Sequence, residues 1–360
     1  MKRIAFDDSW KVASGRRFGQ QNEQVVDLPH DYTIGTDVSP DCISRTATAF
    51  FDGANVNYTK EFELEGVTGE TILLEIDGAY MNSEVSINGD TVAHRPYGYS
   101  AYIADLTGKV RQGKNEIKIS VNNTLPNSRW YTGTGLFRHV TLLKAGQVHI
   151  EPWGIFARTE SVCEGNATVL VDVDIRNRGV SKESARIRIC IKNVDGEIVA
   201  EGLSQAEIRP GESGKAFVRL LVENARLWDL NDPYLYTVAV EVLSDGKAVD
   251  WHEESFGIRT IAVDAKRGFR LNGKPIKLKG GCVHHDNGLL GAVSLYAAEY
   301  RKVMLHKNNG YLPSLYYNKS DVHGYKAAPS ADCTYRHSTL PAQCAGVTVP
   351  SASPDLCRFP

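Results

Sequence analysis

The sequence predicts a mainly β fold: two successive β-sandwiches, the second immunoglobulin-like, and then a single strand-loop-helix unit. Three observations carry this. Apolar and polar residues alternate in segment after segment between about residues 55 and 245, the period-2 signature of half-buried strands. Asn-Gly or Asp-Gly pairs at 88–89, 245–246 and 272–273 mark two-residue hairpin turns, in which both central residues take φ > 0. The first strong helical pattern begins only at residue 294.

In the first sandwich, "ETILLEIDG", "SEVSINGD" and "NEIKISVNN" are separated by turn residues, and Ile117, Ile119 and Val121 alternate with polar neighbours. The second sandwich follows Pro152. Val169, Val171, Val173 and Ile175 alternate in one run, Ile187, Ile189 and Ile191 in the next, and Val238, Val240 and Val242 in a third. Roughly 100 residues of such strands suit an immunoglobulin-like sandwich, although the Cys…Trp…Cys spacing of antibody domains is missing. Trp228 and Tyr236 read as core and strand anchors of this unit.

The pattern changes at about residue 263. "FRLNGKPIKLKG" reads as a hairpin turned at Asn272-Gly273, and residues 278–283 as a short buried strand entering "HHDNG". The helix "SLYAAEYRKVMLHKNNG" follows, with Ser294 as N-cap, Tyr296, Tyr300, Val303 and Met304 on one face, and Asn309-Gly310 as its stop. That makes one βα unit. Beyond Tyr311 no period persists. The last 49 residues hold 6 of the 14 prolines and no glutamate, so no packed core is expected there.

Composition limits the function. The 360 residues are 42% hydrophobic and 23% charged, with a formal net charge of −2, ordinary for a soluble globular protein. Basic residues form no runs, which argues against nucleic-acid partners. No stretch of 18 apolar residues is present, so no membrane partner is expected. "MKRIAFDDSW" meets Asp7 and Asp8 before any apolar run. The chain as written therefore reads as cytoplasmic, with periplasmic or secreted placement left open through a removed leader. Seven cysteines without CxxC spacing suggest reduced, mostly buried thiols rather than a zinc site or a disulfide framework. Oligomeric state is not legible.

Several stretches together resemble glycoside hydrolase family 2, in particular its β-galactosidases, with β-glucuronidases and β-mannosidases as relatives. They are "VDLPHDYTIG" (26–35), "DGAYMNSEVSINGDTVAHRPYGYSAYIADLT" (77–107), "NSRWYTGTGLFRHVTL" (127–142), "LWDLNDPYLYTV" (227–238), "FGIRT" (256–260) and "FRLNGKPIKLKGGCVHHDNGLLG" (269–291). The resemblance implies a jelly-roll sugar-binding domain over 1–146, an immunoglobulin-like domain over 147–262, the start of a (β/α)8 barrel over 263–311 and an aberrant, disordered tail over 312–360. It implies retaining hydrolysis of terminal β-linked sugars by two glutamates on later barrel strands. Such chemistry needs two carboxyl groups about 5–5.5 Å apart, one protonated and one ionised. It implies no organic cofactor, although some members use Mg2+ or Na+, and a carbohydrate as partner, a β-galactoside or related glycoside.

The expected catalytic residues are absent from these 360 residues. Asn-Glu, the dipeptide of the family's acid/base, occurs only at 22–23 and 115–116, and the last glutamate is Glu299. A barrel needs about 250 residues, and the family resemblance stops near Tyr311. A change of reading frame there is one explanation, and isolated 1–360 is expected to be inactive. Limited proteolysis is expected to trim it back toward residue 260 or 312. A non-catalytic carbohydrate-binding module is the alternative reading.

The substrate-binding candidates are His284, His285, Asn127, Arg129, Trp130 and Asp31. By the resemblance, His284 corresponds to a histidine that touches the sugar, at the end of the first barrel strand; a structurally satisfied histidine is the plain alternative. His285 is the weaker of the pair. Adjacent strand side chains face opposite ways, so the two are not expected to share a metal, and no metal ligands are assigned. Asn127, Arg129 and Trp130 offer an amide, a guanidinium and an indole suited to a sugar ring. Interdomain packing, with Arg129 held by a carboxylate and Trp130 plugging a sandwich edge, competes with that reading. Asp31 is either a residue of the barrel mouth or a turn aspartate bonded locally.

Overall fold

A computed structural model describes residues 1–14, 23–279 and 284–310. The fold is mainly β, as expected, and no barrel is present among the described residues. The first sandwich packs a six-stranded sheet, ordered Gln24–Val26, Trp10–Ser14, Asn55–Leu64, Gly113–Asn122, Ser83–Ile87 and Asp90–Arg95, on a four-stranded sheet of Lys2–Ala5, Val140–Ala145, Thr71–Ile76 and Tyr102–Asp105. Between them lies a core that includes Trp10, Tyr58, Leu74, Ile87, Ile117 and Ile119, all 0% exposed. The alternation of Ile117, Ile119 and Val121 becomes an inward face, with Glu116, Lys118 and Ser120 turned away. Thr71–Ile76 departs from alternation: all six residues are buried, because its outer face is covered as well.

The second sandwich packs Val148–Cys163, Asn166–Asn177 and Ser213–Val222 against Ile198–Ile208, Glu183–Lys192, Tyr236–Ser244 and Lys247–Phe256. The three predicted alternating runs supply its core, and Trp228 and Tyr236 are buried as anchors. Glu75, wholly buried in the first sandwich, accepts from Trp153 Nε1 of the second at 3.0 Å and also pairs with Arg3. Arg178 meets Asp105 at 2.8 Å across the same junction.

All three predicted turns form. Asn88-Gly89, Asp245-Gly246 and Asn272-Gly273 have positive φ at both residues and close antiparallel pairs. The last joins Gly268–Leu271 to Lys274–Pro275, beside Ile261–Asp264. Residues 276–279 then form no strand, and 280–283, the rest of the predicted buried strand, lie outside the described residues, as does the tail from 311.

The helix is present as Tyr296–Asn308, with two corrections. Leu295, not Ser294, is the N-cap residue, and the Ser294 amide bonds to Phe137 O at 3.0 Å. The predicted apolar face is also displaced: Tyr296 and Tyr300 stack on each other in the open, while Glu299 is the buried helical residue. Glu299 accepts from Asn287 Nδ2 at 2.6 Å and pairs with Lys302 at 3.1 Å, so its desolvation is offset by donors and by its place in the first helical turn. Of the described cysteines Cys42 and Cys190 are buried and Cys163 is exposed, and all three are free. Cys163 sits at the end of its strand, next to the Glu164-Gly165 turn.

Asp77, at the end of Thr71–Ile76, is pushed up to about 7, first by burial and then by neighbouring Glu75. Its folded value lies above its unfolded one, so the native state holds the proton from about pH 4 to pH 7 and stability falls as pH rises through that window. Asp77→Asn removes the cost. Its melting temperature should exceed that of the parent above pH 7, the gain being ~4 kcal/mol at most, and the two curves should meet below pH 4.

Candidate functional site

The candidate residues gather where two loops of the first sandwich meet the segment that precedes the helix. The centre is the Asp31 carboxylate, 2% exposed. One oxygen accepts the Thr33 amide at 3.0 Å and the Thr134 amide at 2.9 Å. The other accepts the Tyr131 hydroxyl at 2.6 Å and the Ala292 amide at 2.8 Å. Burial, with Asp31 beside it, raises the Tyr131 phenol well above its ordinary range, so it remains a donor. Four donors compensate the buried charge. Asp31 therefore makes the expected local turn bond, and three long-range bonds besides.

Two glycines make room for this carboxylate. A Cβ on Gly133 would lie 2.6 Å from Asp31 Oδ2, and one on Gly291 only 2.4 Å from it. Both have positive φ, at 65° and 60°, a region that glycine enters without a Cβ clash.

His284 and His285 part company, one ring turned outward and the other inward. His285 is 3% exposed; its Nε2 lies 2.9 Å from Thr132 O, and its ring packs edge-on to Tyr99 at 4.9 Å. It ties the segment to the 130–134 loop. His284 is exposed and lies flat against Trp130, with ring centroids 4.5 Å apart and planes 19° apart. Trp130 is 37% exposed and donates its indole N–H to the Tyr99 hydroxyl at 3.3 Å. Burial raises the Tyr99 phenol too, so it stays neutral. Tyr97, 48% exposed, meets Tyr99 edge-on at 5.7 Å.

Asn127 is half-buried. It donates to Asn123 Oδ1 and to Thr124 O, the latter at 3.0 Å, and its own carbonyl accepts from Tyr80 OH at 3.4 Å. Arg129 is exposed. The open surface is thus Trp130, His284, Arg129 and Tyr97. Asp31 and His285 sit behind it, with their polar atoms engaged by the chain itself. Tyr99, Tyr131, Thr132 and Ala292 were not singled out from sequence. Only Tyr99 had a local signal, the tyrosine-rich "PYGYSAY" at 96–102. No three His, Cys, Asp or Glu side chains converge on a metal position among the described residues.

Residues 148–259 match the model for glycosyl hydrolases family 2. A β-galactosidase of Bacteroides ovatus is 36% identical over 319 residues, covering 86% of this chain and 38% of the relative. A protein described as a putative β-glucuronidase of Formosa agariphila is 30% identical, covering 74% of this chain and 25% of its own. The crystal structure of a glycosyl hydrolase family 2 member from Bacteroides cellulosilyticus superposes with a TM-score of 0.81 at 34% identity, over 86% of this chain and 42% of that one. The chain thus spans about 38% of the length of the B. ovatus relative.

The cradle around Asp31 yields a direct test. Gly133→Ala drives a methyl group toward Asp31 Oδ2 and the Ala292 Cβ, the latter 2.7 Å away, at a φ that disfavours alanine. The variant should lose ~1–3 kcal/mol of stability. Proteolytic cleavage within 284–310 should be markedly faster than in the parent, as followed by mass spectrometry.

Proposed function

The chain belongs to glycosyl hydrolases family 2, and from that premise we propose that it supplies the sugar-facing wall of a β-galactosidase-like glycosidase acting on terminal β-linked sugars. The observation that carries this reading is the Trp130–His284 stack. An indole and an imidazole lie flat on each other beside Tyr99 and Tyr97, and Arg129, next to Trp130 in the chain, is exposed. Flat rings suit the C–H face of a pyranose, while a guanidinium and tyrosine hydroxyls suit its hydroxyls. A β-galactoside is the preferred ligand because the more similar of the two relatives described above carries that name, with β-glucuronides as the neighbouring class.

In this reading the 360 residues bind without cleaving. Hydrolysis with retention needs a facing pair of carboxyl groups, and the last glutamate, Glu299, is engaged by Asn287 and Lys302. Asp31 is closed off by its four donors. A second reading, a carbohydrate-binding module in its own right, is favoured by one feature: the aromatic wall is assembled by the described residues alone.

Calorimetric titration with β-galactosides and β-glucuronides tests the wall, and a chromogenic β-galactoside tests the chemistry. Binding without turnover is expected, with Trp130→Ala weakening it at least tenfold, on the order of the 1–3 kcal/mol that an aromatic contact to a ring commonly supplies. Turnover by purified 1–360 that persists through contaminant controls would overturn the inactivity. Flat traces with every sugar would remove the binding role.

A further inference from the structure

The two loops that carry Trp130 and His284 come from distant parts of the chain, and their meeting is organised by a residue that touches neither ring. Tyr131 follows Trp130 directly, and its hydroxyl ends on Asp31 Oδ2. Ala292, eight residues beyond His284, places its amide on the same oxygen. One carboxylate oxygen thus joins partners 100 and 261 residues away from it in sequence. The other oxygen anchors the carboxylate to its own turn and to Thr134. His285, next to His284 in the chain, adds a second tie, to Thr132 O.

We propose that Asp31 is a positioning residue: by holding Tyr131 and Ala292 on one oxygen, it sets the register in which the His284 imidazole meets the Trp130 indole. The part this stack plays toward sugar rests on the function proposed above; its positioning by Asp31 does not. The two outer rings themselves are lightly held. Trp130 is 37% exposed and its indole hydrogen bond to Tyr99 is long, at 3.3 Å, while the His284 side chain is exposed. Two substitutions separate the roles. Tyr131→Phe deletes one hydroxyl and keeps the ring, which packs edge-on to Phe51 at 5.5 Å. Asp31→Asn keeps the shape and replaces one acceptor by a donor that faces amide hydrogens.

The test uses the full chain labelled with 5-fluorotryptophan, which places a reporter at Trp10, Trp130, Trp153, Trp228 and Trp251. Trp130→Phe assigns the Trp130 fluorine resonance, and His284→Gln gives its position when no imidazole lies over the indole. Trp10, wholly buried in the first core, reports whether the sandwich itself is intact. Asp31→Asn or Tyr131→Phe should move the Trp130 resonance to its His284→Gln position while Trp10 stays in place. A Trp130 resonance unchanged in both variants overturns the proposal. So does one that moves only together with Trp10, since that reports loosening of the sandwich. No sugar enters the measurement, so a failed binding experiment and a failed positioning experiment remain distinct.

Discussion

One buried carboxylate joins the 131–134 loop and the segment before the helix to a turn of the first sandwich. An isolated charge at the position of Asp31 would cost several kcal/mol, and the chain compensates with four donors from three separate segments. Each donor is a backbone amide or a phenol held neutral by burial. Two glycines flank the charge because any Cβ would occupy the carboxylate's own space. Such a centre tolerates little variation: a lost donor strands a charge, and an added methyl group displaces it.

The sandwich supports this centre from below. Phe137 and Arg138 lead into the strand Val140–Ala145; Phe137 packs against His285, and Arg138 donates to Tyr99 O and Asp77 O. The tyrosine of the 96–102 loop is thereby tied to the same strand end as the histidine segment. Rigid strands hold the frame while loops carry the exposed rings, the usual division of labour in β-sandwiches. Behind this end, Glu75 and Trp153 lock the second sandwich to the first, so the aromatic wall stands on a two-sandwich base.

The frame was largely legible in the sequence, and the site only in part, for a physical reason. Alternation and turn chemistry are local, and Ile117–Val121, Val169–Ile175 and the three Gly-containing turns follow from neighbours a few residues apart. Asp31 looked like a turn aspartate because its bond to Thr33 is indeed local. Its bonds to Tyr131, Thr134 and Ala292 span 100 to 261 residues, and no periodicity encodes them. The helix shows the same limit. Its existence followed from spacing, but its N-cap falls at Leu295, one residue past the expected serine, and its buried residue is Glu299, held by Asn287 and Lys302.

The paired histidines show how one dipeptide serves two ends. Opposed side-chain directions send His285 into the protein, where Thr132 and Tyr99 hold it, and His284 outward onto Trp130. The inward ring fixes the backbone that presents the outward one. In the function proposed here, the wall that meets the sugar is set by sandwich residues and by a buried aspartate, whereas bond cleavage requires carboxyl groups that this wall does not provide. Binding orientation and chemistry then belong to separate structural layers, and the orientation layer can be complete before the chemical one is present.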